Sequence, residues 1–401
     1  MRWLPFSLLA ATALLSEGLD PSILSTSKQE QIRFNKEKVD VSANKLEDTW
    51  INPITVKLEQ SATTGGAFET ESTAVGVSIS QDIFRSGGIY FAIKYAKANR
   101  QVNETAVESQ TATLVGNAYQ TLFQLRRTEL AIAKQERLIE NARLDIKRKR
   151  EQYLNGLLDS SYLDNAVLNK NTLENALLDL KNQREELGAA FANLSDTDPA
   201  TVALPELGVV DRERFMEENL AVVKAEYAIQ EKNYYKKMTI SQYLPKISVS
   251  YGYTNYLDYT QTFGGRETEA ADTSTQTTVA LSMPLNINTF RDIEVARLDY
   301  LIAQREMDDR KREEQNAYGQ IMAKVKRLDE KIALARESAK LYGSLVAQTQ
   351  EQLTAGLKTE DDLATMTNSL ENARLDARIY EIDRQIVLLD LYMRIYLGRA
   401  L

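Results

Sequence analysis

Two ladders of apolar residues constrain this chain more than any other feature. Ala118, Leu125, Ile132, Ile139, Ile146 and Tyr153 recur at every seventh position, and so do Tyr318, Val325, Ile332, Ala339, Val346 and Leu353. An apolar residue held at one phase of a heptad over about five heptads specifies a helix that buries a narrow seam against another helix. Each residue of the second ladder stands 200 positions after its counterpart, Leu353 after Tyr153, and the ladders run into similar octets, EQYLNGLL at 151–158 and EQLTAGLK at 351–358. One seam found twice in the same register marks an internal duplication, so the chain reads as a long helical hairpin built twice.

From about Ser86 to Tyr153 there is no Pro, and after Gly87-Gly88 the one Gly is Gly116. This predicts a single helix of roughly 68 residues, or about 100 Å at 1.5 Å per residue. Asn155-Gly156 ends it, Gly being suited to a left-handed cap. A return helix is expected from about Asp159 to Leu194, and the stretch SDTDPATVALPEL, with Pro199 and Pro205, breaks the chain. The second half follows the same plan: a helix over Asp211–Gln242, a long helix from about Arg291 to Leu353, a turn at Gly356 and a return helix from about Glu360 to Leu397.

Before each long helix lie two alternating runs. Ile54, Val56 and Leu58, then Val75, Val77 and Ile79, follow a short helix over about Pro21–Asp48; Ile247, Val249, Tyr251 and Tyr253, then Val279, Leu281 and Met283, follow Pro245. Period-two alternation reads as strands, paired as hairpins around long polar loops, SATTGGAFETEST in the first half and LDYTQTFGGRETEAADTSTQ in the second. The start, MRWLPFSLLAATALLSEG, has one basic residue, an apolar run and then small residues, the layout of a secretory signal peptide. The expected organisation is therefore a signal peptide at 1–18, a first repeat at 19–210 and a second at 211–401.

The chain has no Cys and no His. That removes disulfides, thiol and imidazole nucleophiles, zinc sites of the usual ligand types and a Cys-borne lipid anchor. No cofactor is expected. A net charge of −8 argues against nucleic acid as a partner. After the leader no run of 18 apolar residues occurs, so no membrane-spanning helix is expected. The alternating strands fit either an antiparallel sheet resting on a helix or a membrane barrel, since an exported chain without a spanning helix crosses a bilayer as a closed barrel. The long seams are committed to one another and leave no evident cover for the sheet, and Tyr251, Tyr253, Tyr256 and Tyr259 cluster as in an interfacial aromatic girdle. Four strands cannot close a barrel, so the barrel reading requires two copies with eight strands, three with twelve, or more.

The doubled plan, the segment QYLPKISVSYGY entering the second strand pair, VSISQDIFRSGG leaving the first, and the paired YLNGLL and LTAGLK turns resemble the outer membrane efflux protein family, the TolC-like proteins. The resemblance spans the mature chain. It implies a mainly α fold with a β-barrel portion: a homotrimer whose twelve strands form one transmembrane barrel and whose long hairpins form a periplasmic α-barrel. It implies an exit duct in the outer membrane of a Gram-negative bacterium, serving a tripartite efflux pump or type I secretion system with a periplasmic membrane-fusion adaptor and an inner-membrane pump. Ile54, Val56, Val75, Val77, Val249, Tyr251, Val279 and Leu281 are then expected to face outer-membrane lipid. Gly156, Leu157, Gly356 and Leu357 match the family's adaptor-docking turns. Asp362 matches an acidic ring position of the pore constriction; Thr365 stands where a second acidic ring is found in the family, and Lys358 matches a basic position of the inter-hairpin latch. Tyr162 replaces the acidic latch partner, which leaves Asp159 or Asp164 as alternatives. The competing reading is a periplasmic coiled-coil adaptor or tether without a pore. An enzyme is disfavoured by the missing His, Cys and phosphate-binding loop.

Overall fold

The structure is a computed structural model and describes residues 19–66, 68–269 and 273–395. The expected signal peptide at 1–18 lies outside the described residues. A short 3₁₀ turn at Pro21–Ile23 precedes α1 (Thr26–Glu47); then come β1 (Thr55–Gly65), β2 (Phe68–Phe84), α2 (Gly88–Leu154), α3 (Ser160–Ala192), α4 (Arg212–Glu217), α5 (Leu220–Gln242), β3 (Lys246–Phe263), β4 (Arg266–Glu269), β5 (Thr273–Ser282), α6 (Thr289–Thr354) and α7 (Glu360–Tyr392). The long helices have 67 and 66 residues and both return helices have 33, so each half closes with a long helix and a return helix of matched length. No described helix is long and apolar enough to cross a membrane.

The chain forms two compact units that cut across the two halves of the sequence. One contains the residues up to Arg33, Glu108–Leu220 and the residues from Arg312 onward; the other contains Phe34–Val107 and Ala221–Lys311. In the first unit the core gathers where helix ends and linkers converge. Val115, Leu122 and Phe123 of α2, Phe191 at the end of α3, Phe215 of α4, Val325 of α6 and Leu388 and Leu391 of α7 are all buried there. Gly116 is required at this point, because a Cβ would lie 2.2 Å from Cγ of Met393. Ala118 and Val325 of the heptad ladders belong to this core; Leu125 and Ile139 on α2 and Ile332 on α6 are buried too, while Tyr153 at the far end is exposed.

The helix expected over Asp211–Gln242 is interrupted. Glu218 closes α4, and the buried Asn219 makes a β-bridge with Ile395 while the Leu220 amide donates to the Arg394 carbonyl at 2.9 Å. The Asn219 side-chain amide and Arg394 both donate to the buried carboxylate of Glu314, at 3.1 and 3.0 Å. A tertiary bridge to the end of the chain thus outcompetes local helix propensity.

The second unit holds the sheet. Its strands run β1-β2-β3, and β3 pairs onward with β4 near its C-terminal end and with β5 along its N-terminal part, all antiparallel. The polar loops expected between strands are largely strand. Pairing of β1 with β2 continues to Gly65 and Phe68, and β3 turns into β4 through Gly264-Gly265, both at positive φ, with Phe263 opposite Arg266. The two-residue Gly-Gly turn is the kind that closes a hairpin tightly. Ser86, the one non-glycine residue described with positive φ, follows β2, and its hydroxyl donates to the Pro245 carbonyl at 2.6 Å, tying the exit of β2 to the entry of β3.

Candidate functional site

At the first hairpin turn, α2 ends with Gly156 at φ +70°. The Gly156 amide donates to the Tyr153 carbonyl and the Leu157 amide to the Gln152 carbonyl, both at 2.9 Å. The second turn repeats this geometry: Gly356 has φ +75°, its amide donates to Leu353 at 3.0 Å, and Leu357 donates to Gln352 at 2.8 Å. Both are Schellman motifs, which satisfy the last helical carbonyls and need a residue tolerant of left-handed backbone. A Cβ at either glycine would meet nothing within 4 Å, so the demand is conformational and not steric. The motif turns Leu157 and Leu357 outward, 71 % and 75 % exposed. An apolar residue presented this way at both tips is surface available to a partner.

The helices that leave the turns start differently. Asp159 caps α3 by accepting from the Ser161 amide at 2.9 Å, and this contact holds its carboxyl below the usual range. Thr359 caps α7 in a capping box: the Asp362 amide donates to the Thr359 hydroxyl at 3.2 Å, and the Thr359 amide donates to the Asp362 carboxylate at 3.1 Å. The Asp362 carboxyl is accordingly held low, chiefly by the Thr359 amide, which outweighs an opposing desolvation, with the Thr359 hydroxyl, Lys358 and Arg148 adding to the effect. Asp362 is therefore a capping residue whatever else it does. Thr365, one turn on, donates to the Asp361 carbonyl at 2.7 Å, and Lys358 is exposed. Tyr162 is exposed, as is Asp164.

A feature the sequence did not reveal joins the two hairpins. From the core towards the tips, Arg127 pairs with Asp383 and Lys134 with Asp376, both at 2.6 Å; Asn368 donates to Asn141 at 2.9 Å; and Lys147 meets Asp361 at 2.7 Å. The rungs advance by about a heptad on each helix and in opposite directions, the pattern of α2 lying antiparallel to α7. Lys147, the first residue of the basic run Lys147-Arg148-Lys149-Arg150, is thus bound across the hairpins, while Arg148 and Lys149 both reach Asp145, at 2.7 and 2.9 Å. Within the hairpins, Gln135 bonds the Leu173 carbonyl at 2.9 Å, and Arg336 and Arg384 pair with Glu381 and Asp329 at 2.6 and 2.7 Å. Contacts thus run α3-α2-α7-α6. Tyr162, Leu168 and Leu178 on α3 and Leu341 on α6 remain exposed.

In the sheet, register decides which side chains share a face. Val56 lies opposite Val77 and Val77 opposite Tyr253; Ile79 lies opposite Tyr251; Val249 lies opposite Val279 and Ile247 opposite Leu281. Directly opposed residues project to the same side, so Val56, Val75, Val77, Val249, Tyr251, Val279 and Leu281 share one face. Ile54 immediately precedes β1 and is exposed. The other face carries Lys57, Gly76, Ser78, Ser248, Gly252 and Thr254. Val56, Val279 and Leu281 are 68 %, 69 % and 74 % exposed, so nothing described in the chain covers the apolar face. Among the described strands, β1 pairs only with β2, and β4 and β5 pair only with β3, which leaves the sheet with two open edges.

No family sequence model matches the chain. No curated protein is similar to it in sequence either. Solved structures do match in fold. The outer membrane protein VceC of Vibrio cholerae superposes with a TM-score of 0.69 at 12 % identity, over 91 % of this chain and 92 % of that one. The channel-forming CusC matches at 0.70 and 14 %, over 97 % and 96 %. The MtrE outer membrane channel of Neisseria gonorrhoeae, in its open state, matches at 0.69 and 15 %, over 96 % and 89 %. Over more than nine-tenths of its length, this chain has the fold of the TolC-like outer membrane efflux channels.

Proposed function

We propose that three copies of this chain form an outer-membrane exit duct, conducting substrate passively out of a tripartite efflux pump or type I secretion system. The observation that carries the reading is the sheet: one exposed apolar face, one polar face and two unpaired edges, in a chain that also holds helices of 66 and 67 residues. An open edge is stable in lipid only when another strand completes it, so copies must pair β5 with β1 until the barrel closes. The exposed apolar residues of α3 and α6 favour the same assembly, with α3 of one copy meeting α6 of the next. Ile54 and its seven companions on the apolar face then meet lipid, while the opposite face lines the lumen. The matched helix lengths in the two halves support an origin by duplication.

At the tips, Gly156, Leu157, Gly356 and Leu357 provide the docking surface for a membrane-fusion adaptor, which links the duct to an inner-membrane pump. Asp362, Lys358 and Thr365 line the constriction. The Lys147–Asp361 pair serves as a link between the hairpins in place of the latch expected between Lys358 and Asp159 or Asp164, and separating the hairpins breaks it. The duct needs no cofactor and performs no catalysis; its partners supply the energy.

The purified full-length chain, reconstituted in planar bilayers, should conduct ions and run as a heat-sensitive trimer on a gel, and fractionation should recover it with the outer membrane. A monomer that stays in solution without detergent and gives no conductance would overturn the duct in favour of a tether.

A further inference from the structure

Resting on the membrane reading of the sheet, we infer that the lipid-contact surface does not stop at the strands but continues through Met283, Leu285 and Ile287, seating the β5–α6 connection among acyl chains in the leaflet nearer the helices. The argument comes from the slope of the apolar band across the register. On β1 and β2 the band begins at Leu58 and Val75, which oppose each other. On β3 the residue level with Val75 is Asn255; the unbroken apolar run begins one step lower, at Tyr253, and the exposed Leu257 stands above the break at the register shift. On β5 the level residue is Thr273, and the first apolar residue of that face is Val279, six residues further on (279 against 273). Six residues are about 20 Å of strand, accumulated over three strand spacings or about 14 Å of sheet. A slope of that direction is what strand tilt imposes, because a band level in the membrane crosses tilted strands at successively lower positions.

Consistency then fixes the lower limit. The outward apolar band of an outer-membrane barrel is about 25 Å tall. Within β5 the band contains only Val279 and Leu281, about 7 Å along the strand, before the sheet ends at Ser282. Extending it to Ile287 adds six residues, for at most about 27 Å of chain, because Asn286–Thr289 is a turn, or at most about 20 Å of height at barrel tilt. The connection has the chemistry this requires. Leu285 and Ile287 are 90 % and 89 % exposed, and Phe290 at the start of α6 is 85 % exposed. The intervening asparagines are used internally: the Asn286 side chain accepts from the Asn288 amide at 2.9 Å, and its carbonyl accepts from the amide and hydroxyl of Thr289 at 3.1 and 2.7 Å. Asn286 thus spends its side chain and its carbonyl inside the turn while the apolar side chains project from it.

The Cys-free chain allows a direct test. Single cysteines at Leu281, Leu285, Asn286 and Ile287 in the full-length protein are spin-labelled and reconstituted in phospholipid bilayers, and collisions with oxygen and with a water-soluble nickel chelate are compared. The inference expects positions 285 and 287 to behave like 281, with oxygen exceeding nickel several-fold, and position 286 to be less oxygen-accessible than either. Nickel-dominated labels at 285 and 287 with 281 still in lipid would place the segment in water and overturn the inference alone. Labels shielded from both reagents would mean that a second copy covers it, which also overturns it. A nickel-dominated label at 281 would take down the membrane reading of the sheet itself.

Discussion

Gly156 and Gly356 hold φ of +70° and +75°, and the leucines after them donate five residues back at 2.9 and 2.8 Å, yet the chain around the two turns differs in charge and in capping. The first turn follows a basic run and opens a helix with a lone Asp159; the second precedes Glu360-Asp361-Asp362 and opens a helix with a reciprocal capping box. Backbone physics sets the shape of both turns, because a glycine just past a helix readily takes the left-handed conformation that closes a Schellman motif. The difference lies in side chains that link the hairpins to each other: a base on the first and an acid on the second meet as Lys147–Asp361. Acidic residues in the first turn of α7 also suit the positive end of its dipole, so the second tip gains locally from the same charges that reach across.

The largest effect should come from breaking what the tips share. Replacing both glycines with valine forces a β-branched residue into left-handed backbone, at roughly 1–3 kcal/mol per site, with open space around it and no core to disturb. Export should be abolished while trimers still assemble in the membrane. The single variants compare the tips: equal losses mean that both dock the partner, whereas a loss confined to one would restrict docking to that tip. Normal efflux in the double variant would remove docking from the turns.

Next comes what the tips do not share. Lys147→Glu sets two carboxylates against each other across the hairpins, so the tunnel mouth should loosen and single-channel conductance should rise. Asp361→Lys should do the same, and the double swap should return conductance towards the starting value. Failure of the swap to restore it would mean that the pair is incidental. The rungs at Lys134–Asp376 and Arg127–Asp383 lie closer to the core and should matter less to conductance.

How far these features could be read from the sequence depends on the reach of the interaction. Seams sustained over some thirty-five residues of heptad repetition placed α2 and α6 closely, and a glycine after a seam placed both tips. The outer halves of the strands were not legible, because Ser61, Thr63, Glu69 and Glu71 give no alternation and become strand only through pairing. The break at Asn219 was hidden too, since no Pro or Gly marks it and its cause is Ile395, far along the chain. The ladder from Arg127–Asp383 to Lys147–Asp361 depends on the register of α2 against α7, which no local pattern specifies. Asp362 was read by its position in a family pattern, and its part in the capping box is visible only once Thr359 is seen to be the cap.

A smaller effect should follow Asp362→Asn in planar bilayers. If three carboxylates ring the constriction, the wild-type channel should prefer cations and be blocked by multivalent cations from the periplasmic side. The amide should reduce both while keeping an acceptor for the Thr359 amide, so the cap survives. Lys149→Gln, whose partner is Asp145 on its own helix, should change them little. Unchanged selectivity in Asp362→Asn would confine the residue to capping.

The smallest effect is acid sensitivity. Asp362 has a folded-state pKa below its ordinary value, so its contribution is complete above the unfolded value and is lost as pH falls through the folded one. Protonation removes the charge that favours the Thr359 amide and hydroxyl contacts and the helix dipole, and for a group this exposed the loss is at most about 1 kcal/mol. Asp159 is shifted in the same direction by the Ser161 amide, so both turns should loosen in acid. Amide exchange corrected for intrinsic rates should therefore rise at 159–162 and at 359–363 as the pH is taken below about 4, where carboxylates titrate. In Asp362→Asn the second rise should vanish and the first remain, because an amide does not titrate and nothing at the first turn has changed. If the rise at 359–363 persists in that variant, the acid response does not come from Asp362, and the capping box is not what holds the second tip.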